Sequence, residues 1–293
     1  MALFAPSRFK EADPHFPEYC STAIQKDMHI YPKKSLGQNF LTDPHYLRRI
    51  VDAAQVGPAD QVLEIGPGLG HLTRELVARA GRLVVIELDD RLIPRLHEEF
   101  GPVPHVEIVH ADALTYDYGL LTGTWKVVAN LPYYISTPIL QRLIGHRNRF
   151  TTLTLMLQKE VAERIAASPG GKEYGFLSVL VQYSASPHME FIVPAGAFSP
   201  RPKVDSAVVT LTMRVHREHI AGDELFFLRV IKAAFSQRRK TLRNSLSQLG
   251  YPRGVMDAVR SKTGIDLGRR AETLSVAEFV LLSDFLWRER IEI

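Results

Sequence analysis

The stretch QVLEIGPGLGHLTRELVARAGRLVVIELDD, residues 61–90, carries the reading of the fold. QVLEI (61–65) and RLVVIEL (82–88) are short, nearly continuous apolar runs, the pattern of strands buried on both faces of a parallel sheet. Between them, HLTRELVARA (71–80) has the spacing of a helix and is closed by Gly81. Gly66, Gly68 and Gly70 fill the turn from the first strand into that helix. Glycine suits this place because the chain turns sharply and a ligand can approach a backbone that has no Cβ. The spacing is G-x-G-x-G rather than the G-x-G-x-x-G of dinucleotide folds, and alone it is a weak signal.

The alternation continues outward. VEIVH (106–110), WKVVA (125–129) and TLTLML (152–157) read as three more buried strands, and RLIPRLHEEF (91–100), led in by Asp89 and Asp90, as a helix. Thr137 and Pro138 are expected to cap and open a further helix, TPILQRLI (137–144). Such a βαβ series predicts an α/β protein with a doubly wound sheet covered by helices. SPGGKEYG (168–175) reads as a flexible loop, and FLSVLVQYSA (176–185) as a helix. HMEFIV (188–193) and VDSAVVTLTM (204–213) then read as strands joined by the Pro-rich FSPRPK.

From about Gly222 the strand signal stops. DELFFLRVIKAAFS (223–236), RRKTLRNSLSQL (238–249) and SVAEFVLLSDFLW (275–287) have helical patterns, the last with Ser275 and Glu278 in capping-box spacing. Residues 1–30, with Pro14 and Pro17 among scattered charges and aromatics, show neither period and are expected to be a mobile extension, with Met28 an alternative start. The expected division is an extension over 1–30, an α/β domain over 31–216 and a helical domain over 222–293.

Composition bounds the function. The chain of 293 residues is 45% hydrophobic and 23% charged, enough for two cores. It has no run of about eighteen apolar residues, so no membrane span is expected. The first residues lack the basic and then apolar pattern of a secretory signal. Cys20 alone excludes an internal disulfide and a cysteine-based metal site, which fits a cytoplasmic location. Charge is uneven: residues 199–270 carry 15 Lys and Arg against 6 Asp and Glu, and the remainder 21 against 26. That imbalance fits a surface for a polyanion, or simply a solvated basic face.

Strand ends supply the chemistry. Glu87 ends the second strand, where an acidic side chain accepts hydrogen bonds from ribose hydroxyls. Asp112, in HADAL (110–114) after the third, suits the exocyclic amine of a bound base. Ligands bind at the carboxyl ends of parallel strands, and three consecutive ends here carry suitable groups. NAD and S-adenosylmethionine both fit; the tighter glycine loop favours S-adenosylmethionine, which has no pyrophosphate to place on a helix N-terminus. The Walker pattern and any Asp- or Cys-rich metal cluster are absent from the sequence.

The fourth strand runs into NLPYYIS (130–136). An isolated Asn-x-Pro-Tyr is most often a turn, but this one falls beside the expected place of a transferable methyl group. The amide oxygen of Asn130 and the carbonyl of Leu131 can accept hydrogen bonds from an exocyclic amine whose lone pair is otherwise delocalised into its ring. Pro132 would fix those carbonyls, and Tyr133, by preference over Tyr134, would stack on the base. The design relies on positioning and electrostatics, and the base must be single-stranded or flipped out.

These residues carry a resemblance. KKSLGQNFL (33–41), VLEIGPGLGHLT (62–73), VIELD (85–89), HADAL, NLPYYIS, LQKEVAERI (157–165), FSPRPKVDSAVV (198–209) and FSQRRKTLRNSL (235–246) occur in order, and the chain resembles the KsgA-type ribosomal RNA adenine dimethyltransferases from about Lys33 to its C-terminus. The resemblance implies a Rossmann-like class I S-adenosylmethionine-dependent methyltransferase sheet with a small all-helical C-terminal domain. It implies N6,N6-dimethylation of two adjacent adenosines near the 3′ end of 16S rRNA, within an immature 30S subunit. The product would be S-adenosylhomocysteine, and the protein a monomer without metal or membrane contact. It adds Gln38, Asn39 and Leu41 to a cofactor site of Gly66, Glu87, Asp112 and Asn130, alongside Gly68 and Gly70 of the glycine loop. GQNFL by itself reads only as a turn before a helix starting at Asp43–Pro44.

It also makes the basic segment an rRNA surface, through Arg201 and Lys203 and through Arg238, Arg239, Lys240 and Arg243. These last four are expected on one helix, whose Leu242, Leu246 and Leu249 face the core. Two features depart from the family pattern: the first thirty residues, and Tyr134 where many members have Asn, which leaves open which aromatic stacks on the substrate. Competing readings are a large-subunit rRNA methyltransferase of the macrolide-resistance type, a mainly non-catalytic ribosome assembly factor and, more distantly, a dehydrogenase.

Overall fold

A computed structural model describes Lys33, residues 37–214 and residues 219–290, all within one compact unit. The extension expected over 1–30 lies outside the described residues. In chain order the first half runs β1 (Phe40–Leu41), α1 (Pro44–Ala53), β2 (Gln61–Ile65), α2 (His71–Val77), β3 (Arg82–Glu87), α3 (Ile93–Phe100), β4 (Val106–His110), β5 (Trp125–Asn130), α4 (Ser136–Gly145) and β6 (Phe150–Gln158). There follow α5 (Lys159–Ala166), α6 (Phe176–Ser184), β7 (Ala185–Val193), β8 (Phe198–Ser199), β9 (Ser206–Met213), α7 (Glu224–Ala234), α8 (Leu242–Leu246), α9 (Arg253–Thr263) and α10 (Val276–Arg288).

Seven strands form one sheet in the order β4-β3-β2-β5-β6-β9-β7. β2 to β6 are parallel, while β9 runs antiparallel to both β6 and β7. The strand order reverses at β2, which lies between β3 and β5. Parallel neighbours leave that point as a crevice at their carboxyl ends, the place where such sheets bind ligands.

The apolar runs explain the layers. Val62, Leu83, Val85 and Val128 face Leu47, Ile50 and Val51 of α1 and Leu72 and Leu76 of α2. Leu63, Ile65, Val84, Val127 and Ala129 face the other way, onto Ile139 and Leu143 of α4. The same apolar cluster continues through Val179 of α6 to Phe227 and Ile231 of α7, Leu246 of α8, Val259 of α9 and Phe279 of α10. Each such side chain contributes about 1.5–3 kcal/mol through its removal from water.

Most predicted elements recur within a residue or two, and the exceptions have local causes. α2 stops at Val77 rather than at residue 80, with Ala78 as its cap. α4 begins at Ser136, so Thr137 and Pro138 sit inside its first turn rather than before it. The expected helix over 238–249 is a correction. Only Leu242–Leu246 is α-helical, followed by a 3₁₀ turn over Ser247–Leu249, and Arg238, Arg239 and Lys240 precede the helix in a turn. A helix running back to Arg238 would need the Leu242 N–H for the residue 238 carbonyl. It donates instead to the Arg269 carbonyl at 2.8 Å, and the Arg243 N–H to that of Leu267 at 3.0 Å. Leu242 and Leu246 are buried as expected, and Leu249 packs partly buried against the same core.

Candidate active site

The glycine loop leaves β2 at Gly66, whose N–H donates to the Ile86 carbonyl at 2.9 Å. Gly66, Gly68 and Gly70 have φ of +69°, +58° and +79°. A side chain is strained in that left-handed region, and a Cβ on Gly68 would stand 2.9 Å from the Phe40 ring. Gly70 occupies the N-cap of α2, so the loop delivers its backbone directly into a helix start.

Glu87 knits this loop to the end of β3. One carboxylate oxygen accepts from the Leu88 and Asp89 N–H groups at 2.8 Å each, and the other from the Gly68 N–H at 3.2 Å. Burial pushes its pKa up while those backbone donors pull it back. The oxygen facing Gly68 keeps a lone pair for a hydroxyl. Asp112 follows β4 and lines the cleft, where one of its oxygens accepts from the Leu114 N–H at 2.8 Å and the other keeps its acceptor capacity.

Beside them lies a group that sequence reasoning missed. Glu64, in the middle of β2, is buried, and its Oε2 has no hydrogen-bond partner among the described residues. The Thr73 hydroxyl is buried beside it, near enough to draw the Glu64 pKa down but outside hydrogen-bond geometry. Burial, reinforced by the Glu87 carboxylate, pushes Glu64 from near 4.5 to about 8. A charged residue inside an otherwise apolar strand, VLEI, was the available signal. An orphaned carboxylate in the wall of a cleft suits a cationic ligand.

A segment from the N-terminal side crosses the cleft. Asp89, its side chain buried, accepts from Gln38 Nε2 at 2.9 Å, Lys33 Nζ at 3.3 Å and Arg91 Nη2 at 2.6 Å. Gln38 Oε1 in turn accepts from the Lys33 N–H at 2.8 Å. Gln38 thus lines the cleft, but its amide is committed to holding this segment down. Phe40 and Leu41, as β1, pair with β8, and the Leu41 carbonyl lies 2.9 Å from His71 Nδ1. Burial lowers the His71 pKa, so a neutral ring donates that bond. The Asn39 carbonyl accepts from Asn130 Nδ2 at 3.3 Å.

NLPYYIS leaves β5 as predicted. Leu131 is buried, and its N–H donates to the Met156 carbonyl at 3.2 Å. Asn130, with its Nδ2 engaged, has no protein donor on Oδ1 among the described residues. The tyrosines differ. Tyr133 is half-buried, with its phenol 2.7 Å from the Ser206 hydroxyl, whereas Tyr134 is 53% exposed. A Cβ on Gly37 (φ +56°) would stand 3.0 Å from the Tyr134 ring.

Together Gly37–Leu41, the glycine loop, Glu64, Glu87, Asp112 and Asn130–Tyr134 wall a cleft of about 1010 Å³, counting solvent at its mouth. Gln38, Asn39, Leu41, Gly66, Gly68, Glu87, Asp112, Asn130, Leu131, Pro132 and Tyr133 all line it, and Gly70 stands behind as the helix cap. The basic residues lie apart from it. Arg201 and Lys203 are exposed on the segment from β8 to Ser206. Arg238 is exposed and donates to the Lys172 carbonyl at 2.5 Å, Arg239 and Lys240 are exposed, and Arg243 pairs with Asp257 at 2.8 Å. Among the described residues no group of three or more His, Cys, Asp or Glu is placed to hold a metal ion, and no helix is long and apolar enough to cross a membrane.

Comparison with known proteins gives the family and the fold. The model of the ribosomal RNA adenine dimethylase family matches residues 31–287. Ribosomal RNA small subunit methyltransferase A of Moorella thermoacetica is 48% identical, over 89% of this chain and 94% of its own. Its counterpart in Geobacter metallireducens is 49% identical, over 87% and 95%. Among solved structures, a dimethyladenosine transferase from Plasmodium falciparum superposes with a TM-score of 0.71 at 27% identity, over 83% of this chain and 95% of that one. The 23S rRNA methyltransferase ErmE gives 0.66 at 28% identity, over 85% and 99%.

Proposed function

The chain belongs to the ribosomal RNA adenine dimethylase family, and on that premise we propose how its cleft dimethylates adenine in small-subunit rRNA. It is a methyltransferase, with the class I sheet of that family and a helical C-terminal region. The substrate is two adjacent adenosines near the 3′ end of 16S rRNA, presented within an immature 30S subunit to a monomeric, cytoplasmic enzyme. Residues up to about 216 hold the cofactor and the amine, and those from 222 onward grip the rRNA, with the exposed Arg201 and Lys203 adding contacts.

The residues present fit S-adenosylmethionine. Three left-handed glycines clear space for its close approach, Glu87 and Asp112 each keep acceptor capacity, and the Glu64 carboxyl, held protonated by burial, would ionise against its positive charge. When bound, it supplies a methyl carbon activated by a sulfonium. Everything else falls to the chain. Asn130 Oδ1 and the Leu131 carbonyl accept from the adenine N6 amine and hold its N–H groups out of the ring plane, which localises the lone pair towards the methyl carbon. Tyr133 stacks on the base, its phenol kept neutral by burial. No strong base is required, because N6 becomes acidic once the new C–N bond forms and its proton then passes to water. No residue is assigned to a metal.

The observation that carries this reading is the Asn130 amide, tied through Nδ2 to Asn39 and open at Oδ1 where the strand order reverses. The test is methyl transfer to 30S particles against protein-free large-subunit rRNA. Transfer to 30S particles is expected, and transfer only to the large-subunit RNA would overturn the substrate in favour of the ErmE-like activity. Asn130→Ala should abolish transfer while sparing rRNA binding; persistent methylation would remove the proposed role of the amide.

A further inference from the structure

We infer that Ser206 is a positioning residue for methyl transfer: its buried hydroxyl holds the phenol of Tyr133, and through it the ring on which the target base stacks. The inference rests on the activity proposed above and assigns work to a strand that does not line the cleft.

Ser206 opens β9 and is fully buried, opposite Gln158 of β6 on one side and Val193 of β7 on the other. Its neighbours along the strand, Ala207, Val208 and Val209, are buried and apolar. A hydroxyl in such a place is costly unless bonded, and its side-chain partner is the Tyr133 phenol at 2.7 Å. The approach to Ser206 is fixed as well. The Asp205 carbonyl accepts from the Lys159 N–H at 3.0 Å, and its carboxylate from the Ala195 N–H at 3.0 Å. Ser206 therefore cannot drift towards or away from the ring.

Tyr133 is held at its other end too. Its carbonyl accepts from the Ser136 hydroxyl at 3.1 Å, and the preceding Pro132 restricts the backbone. With both ends fastened, the ring has one orientation before any base arrives. Tyr134 has no comparable anchor: it is 53% exposed and lies against Gly37 of the crossing segment. The two tyrosines thus divide the work, Tyr133 as a fixed platform and Tyr134 as a contact of the segment that covers the cofactor.

Freeing the phenol would let the ring swing and the amine miss its line of attack. The second methylation would suffer more, because the monomethylated amine is bulkier and tolerates less misplacement. Ser206→Ala, Tyr133→Phe and the double variant are compared with wild type by single-turnover methyl transfer to 30S particles, resolving mono- and dimethyladenosine by mass spectrometry. Each single variant should lose about ten-fold in rate, accumulate the monomethylated product and keep the wild-type cofactor affinity. The double variant should be no worse than the weaker single, because both remove the same bond.

Wild-type rate and product ratio in Ser206→Ala, or losses that multiply in the double variant, would overturn the inference. Tyr133→Phe removes only a half-buried hydroxyl, so it decides the matter even if Ser206→Ala does not fold. An unchanged rate in Tyr133→Phe refutes the platform role of the bond. Absence of transfer by the wild type would instead overturn the activity itself, and the inference with it.

Discussion

A carbonyl oxygen only accepts, so the atom of the Asn130 side chain that faces the Asn39 carbonyl at 3.3 Å is its nitrogen. The amide is therefore oriented before substrate arrives, which leaves Oδ1 to accept from the amine in the proposed mechanism. Asn130→Asp would set a carboxylate oxygen against that carbonyl and force the side chain to rotate. Methyl transfer should fall about hundred-fold while thermal stability stays near wild type, since a misplaced catalytic group of this kind costs that much. An Asp variant with wild-type turnover would show that the contact does not orient the acceptor. Glu64 gives a second expectation, in pH. Its folded-state pKa of about 8 exceeds the ordinary value near 4.5, so between those limits the folded protein keeps a proton that the unfolded chain has lost. The stability this group contributes is complete below about pH 4.5 and is lost as pH rises through 8. Glu64→Gln should therefore gain on the wild type by roughly 8–16 °C in melting temperature between pH 5 and pH 8.5, without cofactor. A difference that stays flat with pH would mean that Glu64 is ionised in the folded state.

The elements that build the cleft differ in how they join it, and this governs both their energetics and their visibility in sequence. The segment Gly37–Leu41 crosses the site on few contacts: a two-residue strand, the Asn39 carbonyl and the polar cluster at Asp89. The Arg91 guanidinium, with Gln38 and Lys33, holds the Asp89 carboxyl well below the usual carboxylate range, so the latch stays charged at neutral and mildly acid pH. Asp89→Asn should weaken cofactor binding about ten-fold by calorimetry and leave the melting temperature nearly unchanged, because the loss falls on one surface segment. A large drop in melting temperature with unaltered affinity would make Asp89 a core support instead. None of this was legible in KKSLGQNFL, where β1 is too short for a period and the role of Gln38 depends on a residue 51 positions away. Four of the five parallel strands were legible because burial on both faces writes an apolar run into each; β4, expected to be buried, lies at the sheet edge with no buried residue and shows only in the β-branched VEIVH. The glycine loop, Glu87, Asp112 and NLPY were legible because each stands at the end of a parallel strand, whereas Gln38, Asn39 and Leu41 follow no apolar run. α8 was misread because carbonyls from residues 267 and 269 take its first N–H groups, a long-range competition that helical spacing does not record. α9 went unread because, of its eleven residues, only Met256 and Val259 are buried.

At the scale of the molecule, one apolar cluster runs from Leu63 and Val127 in the sheet to Phe227, Leu246 and Phe279 in the C-terminal helices. The helical region is thereby held rigidly with respect to Asn130, so an rRNA phosphate seated on it stands at a set distance from the cleft. The cluster also fixes which basic residues remain available. Arg239 and Lys240 are exposed in the turn before α8, while Arg243 is drawn to Asp257 at 2.8 Å. Phosphate contacts release counterions, so each contact removed should lower the slope of log affinity against log salt by roughly 0.7–0.9. Arg239→Ala with Lys240→Ala should therefore weaken rRNA binding and flatten its salt dependence by roughly 1.4–1.8, with cofactor affinity intact. Arg243→Ala should change the slope less, because its charge is already answered within the protein. The measurement is filter binding of 30S particles between low and physiological salt. A slope unchanged in the double variant would move the rRNA surface away from this turn, leaving the exposed Arg201 and Lys203 as the basic residues to substitute next.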